Sequence, residues 1–182
     1  MRRFILTGTP GSGKTALLRQ LELVGFGVVE EAATDVIALW QARGIGEPWM
    51  QPWFLDEIVA LQRQRRTRFA RLPDAVQFHD RSSVCTAALA EYLGLTMPDW
   101  LMAELKRIKD ESFFEKQVFF IRNLGFITHT DARRISWEDA LRFERIHEEW
   151  YLRSGFELIT VEAGTIEERT EAIKDAVERF TR

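Results

Sequence analysis

The residues with the clearest chemistry are Gly8, Gly13, Lys14 and Thr15, in the run Gly8-Thr9-Pro10-Gly11-Ser12-Gly13-Lys14-Thr15. Their spacing is G-x-x-x-x-G-K-[ST], the pattern of a phosphate-binding loop, or P-loop. The glycines let backbone N–H groups crowd around a phosphate chain without Cβ clashes. A helix starting near Gly13 would point its positive end at the same charge. Lys14 has the reach for β- and γ-phosphates, and the Thr15 hydroxyl can bind Mg²⁺. Residues 8 to 15 are thus the expected nucleotide site, with ATP and Mg²⁺ as the expected ligands.

A P-loop enzyme also needs carboxylates. Asp80 ends an apolar run, Ala75 to His79, and is the candidate second metal group beside Thr15. The alternative is that Asp80 only caps the next helix. Arg81, next to it, is a candidate for contact with phosphate or with a neighbouring carboxylate. Glu30 and Glu31 follow a second apolar run, where either could orient or deprotonate an acceptor hydroxyl. Adjacent side chains point apart, so one of the two should face the site, and Glu30 is the preferred one. Asp35, one turn on, is a further candidate. The alternative for all these acids is complementing a helix dipole.

Arg133 and Arg134 lie in the segment Arg122 to Arg134, where a lid carrying cations could close over a transferring phosphoryl group. Arg122 stands behind them, and His129 reads as a polar loop residue. A solvated turn is the alternative. Phe54 to Leu72 carries five arginines spread around a helix, which reads mainly as a solvated face; the sharper reading has Gln62 and one arginine gripping a substrate. The loop from Gly46 to Phe54 holds Trp49 and Trp53, either a pocket wall or packing against the chain's own helices.

These residues must be positioned by alternating elements. Strands are expected at Arg3–Thr7, Phe26–Glu30, Ala75–Asp80, Gln117–Ile121 and Glu157–Val161. Helices are expected over 16–24, 31–43, 54–72, 83–93, 98–110, 136–153 and 165–180, with Ser136 as an N-cap. Alternation of this kind argues for an α/β P-loop NTPase fold: a five-stranded parallel sheet covered by helices on both faces, with ligands at the strands' carboxyl ends. A single domain over residues 1–182 is expected, with a lid over about 122–135.

The 182 residues are 46% hydrophobic and 29% charged, enough for a real core. The formal net charge of −3 gives no bulk attraction to nucleic acid or anionic membrane. No apolar run approaches membrane-spanning length, and no signal peptide is read before the first strand. The lone cysteine, Cys85, excludes an internal disulfide and reads as a small buried hydrophobe, with the cytoplasm as the expected compartment. No residue spacing suggests zinc.

With Gly8 to Thr15, Glu30-Glu31, His79-Asp80-Arg81-Ser82 and the arginine-bearing lid in this order, the chain resembles the small P-loop ATPase/kinase group that includes nicotinamide-riboside-kinase-like domains. More distantly, it is similar to deoxynucleoside kinases. That resemblance implies a kinase-like fold with a lid, an acid-Arg-Ser triplet at Asp80-Arg81-Ser82, and a substrate base at Glu30 or Glu31. It departs from the deoxynucleoside kinases in lacking a dense arginine run in the lid. Two functions are carried forward. One is a small-molecule kinase moving the ATP γ-phosphate to a hydroxyl of a nucleoside- or riboside-like acceptor. The other is an ATP- or GTP-hydrolysing switch acting through a bound partner, supported by the exposed-looking Trp49/Trp53 loop. No N-K-x-D guanine signature is present, which favours ATP. No helical domain of the hexameric AAA-motor kind is read behind the core.

Overall fold

The computed structural model describes residues 1–8, 10–69, 75–124 and 136–181. Five strands form one sheet: β1 (Arg2–Thr7), β2 (Gly27–Val29), β3 (Val76–Asp80), β4 (Gln117–Ile121) and β5 (Glu157–Val161). Their spatial order is β2-β3-β1-β4-β5, and every pairing is parallel. The helices among the described residues are α1 (Lys14–Leu23), α2 (Ala32–Ala42), α3 (Phe54–Phe69), α4 (Ser83–Tyr92), α5 (Asp99–Asp110), α6 (Trp137–Arg153) and α7 (Ile166–Thr181), with a 3₁₀ turn at Pro48–Met50.

Strand alternation sorts the core onto two faces. Phe4 and Leu6 of β1, Phe78 of β3, and Phe119 and Ile121 of β4 pack with Leu17 and Leu21 of α1 and Ile173 of α7. Phe4 sits between Phe78 and Phe119, with ring centroids at 5.9 and 5.6 Å. The intervening Ile5 and Val118 turn to the other face and meet Val84 and Cys85 of α4 and Tyr151 of α6. All five are buried, so central strands that read as continuous apolar runs are covered on both sides.

Strand order reverses at β1, which lies between β3 and β4. The crevice at its carboxyl end is where a doubly wound sheet collects ligands. The loop after β1 therefore emerges between the ends of β3 and β4, which carry Asp80 and Ile121.

Several boundaries differ from the sequence reading. β2 is shorter, Gly27–Val29, and leaves the sheet before Glu30. α2 begins at Ala32 because Glu31 keeps extended backbone, φ −63° and ψ 138°. α5 begins at Asp99, with Pro98 at its N-cap. The expected stretch to Leu72 ends outside the described residues.

Candidate active site

The P-loop is shaped by close approach as much as by glycine freedom. Gly8 has φ +134°, and a Cβ there would lie 2.3 Å from the Ile121 carbonyl oxygen. Only glycine lets β1 turn into the loop against β4. At the far end Gly13 is the N-cap of α1, with φ +81° and no side-chain cap. The first turn of α1 holds no acid. Its first N–H groups, without intrahelical partners, and its positive dipole end make this an anion-favouring terminus. Thr9 lies outside the described residues.

Lys14 is buried, and its Nζ donates to Ser12 Oγ at 3.2 Å. Burial first, and the positive charge of Arg81 second, push its ammonium down to about 7, while Asp80 and Glu31 pull it back up. Thr15 is exposed and lines the main cavity with Lys14.

Arg81 is the hub of the neighbouring wall. Its backbone is left-handed at φ +70°, and its N–H donates to the Leu6 carbonyl at 2.9 Å. Its Nε lies 2.5 Å from Glu31 Oε1, and its Nη1 lies 3.0 Å from His147 Nε2. The guanidinium can only donate, so His147 Nε2 accepts. His147 Nδ1–H then donates to the Phe143 carbonyl at 2.9 Å. Burial first, then Arg81, hold this imidazole neutral, with its pKa down at about 3. The other oxygen of Glu31 accepts from Thr34 Oγ1 at 2.7 Å.

The expectation that Glu30 is the one of the pair facing the cavity does not hold: Glu31 lines the main cavity and Glu30 does not, though Glu30 borders a small pocket with Asp80 and Arg81. Glu30 pairs with Arg19 of α1 and lines a separate charged groove with Arg65 and Arg68. Val28 explains this: it packs beside Phe26 and Phe78 under α1, and Glu30, two residues on, turns to the same side. Glu31 follows Val29 to the cavity face. Asp35 pairs with Arg65, which also donates to the Glu30 and Glu31 carbonyls. It is not among the residues lining the main cavity.

Asp80 ends β3 and is buried, but it does not line the main cavity. Its Oδ1 has no hydrogen-bond partner among the described residues. Burial, reinforced by Glu31, raises its carboxyl to about 6 against the pull of Lys14 and Arg81. The capping duty weighed for it belongs instead to Ser82, whose Oγ accepts from Val84 N–H at 3.3 Å.

The cavity, about 570 Å³, runs from the P-loop residues Gly13, Lys14 and Thr15 to an apolar end. Ile37, Trp49, Phe54, Ile58, Leu89 and Phe143 form much of that end. Gln62 reaches in from α3; its Oε1 accepts from Ser83 Oγ at 3.1 Å and Thr86 Oγ1 at 3.3 Å, leaving the amide N–H groups as its donors. Both tryptophans pack against the core cluster of α2 and α3; Trp49 also forms part of the pocket wall, whereas Trp53 lies against Trp40 in a tilted pair with centroids 4.3 Å apart. Both tryptophans are half-buried, so the exposed-looking loop is not an exposed aromatic surface. Cys85 is buried as expected, but its Sγ is 3.2 Å from Thr7 Oγ1 and 3.1 Å from Tyr151 Oη.

Arg133, Arg134 and His129 lie outside the described residues, as does the lid from 125 to 135. Arg122 is tied to α6 by Glu144 at 3.0 Å and Glu148 at 2.6 Å. On α3, Arg66 is buried and pairs with Glu104 at 2.8 Å, so the arginines there are not all a solvated face. His147, Tyr151 and Arg169 were not singled out from sequence. Each sits on an amphipathic helix whose pattern carries no local mark of a distant contact. Among the described residues no group of three or more His, Cys, Asp or Glu could hold a metal. No helix there is long and apolar enough to cross a membrane.

Comparison with known proteins gives the setting. The family model described as an AAA domain matches residues 3–169. A deoxyadenosine kinase from M. mycoides, solved with dCMP and dCDP as products, superposes with a TM-score of 0.63 at 13% identity, covering 98% of this chain and 99% of that one. The same enzyme with bound dATP gives 0.58 at 12% identity, covering 97% and 99%. The NadR protein in complex with NR gives 0.70 at 17% identity, covering 99% of this chain and 50% of that one. At these identities the shared property is the P-loop kinase fold. No curated protein sequence matches the chain.

Proposed function

Because the chain belongs to this AAA-domain family, and its fold is shared with kinases, we propose that it is an ATP-dependent small-molecule kinase. The acceptor is a hydroxyl on a nucleoside- or riboside-like molecule. The observation that carries this reading is the cavity: one continuous space joins Lys14 and Thr15 to an apolar, aromatic end, with Glu31 and Arg81 lining it as well. A hydrolysing switch needs no such acceptor space.

The roles follow from the chemistry of each group. The P-loop residues Gly8, Thr9, Gly11, Ser12 and Gly13 supply backbone N–H donors to the nucleotide phosphates, Pro10, which has no N–H, contributes only to the shape of the loop, and Lys14 supplies charge. Thr15, which lines the cavity, is assigned to hold Mg²⁺, and Asp80, set behind that lining at the end of β3, is assigned to it as the second group: its buried Oδ1 has no hydrogen-bond partner among the described residues, and a carboxylate oxygen suits a hard cation. The metal, when bound, neutralises charge on the phosphate oxygens. Glu31 accepts the hydroxyl proton as the acceptor oxygen bonds to the γ-phosphorus and the bond to ADP breaks. Arg81 holds Glu31 in place and adds positive charge beside the transferring group. Arg133 and Arg134 are assigned to closure over that group. The aromatic end takes a ring, and the Gln62 amide donates to an acceptor atom on it. A cytoplasmic setting is part of this reading: the chain has one cysteine, Cys85, and no internal disulfide is needed to hold the fold.

The test is phosphoryl transfer by Glu31→Gln and Glu30→Gln. Loss of a general base costs about 10²–10⁴ in rate, so Glu31→Gln should lose transfer while keeping ATP affinity, and Glu30→Gln should keep both. Transfer by Glu31→Gln at the normal rate would remove the acid–base assignment.

A further inference from the structure

Arg169 is the fourth residue of α7, yet its guanidinium ends against the P-loop, 157 residues away in sequence. Its Nη2 donates to the Ser12 carbonyl at 3.0 Å and to the Arg122 carbonyl, just past β4, at 3.3 Å. Its Nη1 lies 3.1 Å from the point where a Cβ on Gly13 would sit, so the missing side chain gives it room. The residue is only 2% exposed, and its Nε is buried without a hydrogen-bond partner among the described residues. None of the ion pairs among the described residues includes Arg169. Burial is accordingly the influence on its charge, and it pulls the pKa down.

A buried cation without a counter-ion is costly, and arginine does not escape by losing its proton. The groups it touches, Ser12 and Gly13, are those whose backbone would cradle a phosphate. The peptide between them is trans, so its carbonyl and its N–H point in opposite directions. Drawing the Ser12 carbonyl toward α7 therefore turns the Gly13 N–H away from α7.

We propose that Arg169 is a nucleotide-positioning residue, which orients the Ser12–Gly13 peptide for phosphate binding and whose counter-charge is the bound phosphate itself. This rests on the reading of residues 8–15 as a nucleotide site, and on no particular acceptor. Arg169 touches the loop from the side of α7 and acts on the phosphates through the Gly13 N–H and through its field. Its second hydrogen bond, to the Arg122 carbonyl, fixes the chain where it leaves β4, so the loop and that exit share one anchor.

The experiment is calorimetric titration of MgADP and MgATP into the full chain, as wild type, Arg169→Met, Arg169→Lys and Ile173→Val, with urea unfolding of each. Ile173 is buried in the core on the same helix and serves as a packing control. Arg169→Met should weaken both nucleotides by about tenfold or more, the scale for losing hydrogen bonds from a charged group. Arg169→Lys keeps the charge without the fork and should fall between the two. Ile173→Val should lower stability with affinity unchanged. Binding by Arg169→Met within about twofold of wild type, whatever its stability, overturns the proposal. Should Arg169→Met not fold, wild-type affinity in Arg169→Lys overturns it. A wild-type chain that binds neither nucleotide would instead remove the nucleotide-site reading, and this proposal with it.

Discussion

Gly8→Ala should be among the most damaging single-atom additions to this chain. At φ +134° an L side chain is strained, at a cost of about 1–3 kcal/mol. The new Cβ would also lie 2.3 Å from the Ile121 carbonyl oxygen and 3.2 Å from its carbon. Those atoms are backbone, at the end of a strand held on both sides: Thr7 is in register with Phe120, Ile121 pairs with Val161, and Arg122 N–H donates to the Val161 carbonyl at 3.0 Å. The oxygen cannot swing aside as a side chain could, so β1 and β4 must separate locally. Overpacking of this kind costs a further ~1–3 kcal/mol. The sum, about 2–6 kcal/mol, is a large share of the ~5–15 kcal/mol of a typical domain. At about 2–4 °C per kcal/mol for a chain of this length, the melting temperature should fall by roughly 10 °C. Gly25→Ala is the matched control: φ is +98° there, but apart from its chain neighbours no atom of the described residues lies within 4 Å of the new Cβ. It should cost only the conformational strain, about 1–2 kcal/mol. Differential scanning calorimetry of the two variants reads the difference. Equal melting temperatures for Gly8→Ala and Gly25→Ala would refute the steric argument.

Acid stability and ligand selectivity give two more tests. His79 and His147 are both buried and held near pKa 3 in the fold, against 6.5 when unfolded. Depressed folded values mean that the stability they contribute is intact above pH 6.5 and is lost as pH falls toward 3. Asp80 acts the other way: its folded value of about 6, above 3.8, makes it a cost at neutral pH that is relieved as pH falls from 6 to 4. Two histidines outweigh one carboxyl, so the urea midpoint should drop between pH 7.5 and 5, and His147→Gln should lessen the drop; a midpoint that holds or rises would contradict the assignments. Gln62→Leu removes the acceptor for Ser83 and Thr86 and the amide donor in the cavity. It should raise the acceptor KM by about tenfold with the ATP affinity unchanged, and a shift in ATP affinity alone would place Gln62 at the wrong end of the cavity.

The strands were legible because burial on both faces leaves runs such as Gln117–Ile121 almost wholly apolar, and the P-loop because its chemistry demands fixed residue types at fixed spacing. Glu30 and Glu31 were harder. Strand alternation separates them, but the face that carries the cavity is set by where α1 and α4 pack, which no local pattern states. Once Val28 is seen under α1, Glu30 must meet Arg19 and Glu31 must face Arg81. The Arg81–His147 and Arg169–Ser12 contacts span 66 and 157 residues. Their partners look, in sequence, like ordinary polar positions on amphipathic helices. Trp49 and Trp53 were ambiguous because an aromatic in a loop shows only that something covers it; in the fold both pack on the chain's own helices, and Trp49 also lines the cavity.

The central claim is phosphoryl transfer to a small hydroxyl acceptor. The most direct measurement is ATP consumption by the purified chain with Mg²⁺, alone and with pools of nucleosides, ribosides and other small alcohols, with products identified by mass spectrometry. The account predicts strong stimulation by one pool and a product carrying one added phosphate. Slow ATP hydrolysis that every pool leaves unchanged, with no phosphorylated product, would contradict it.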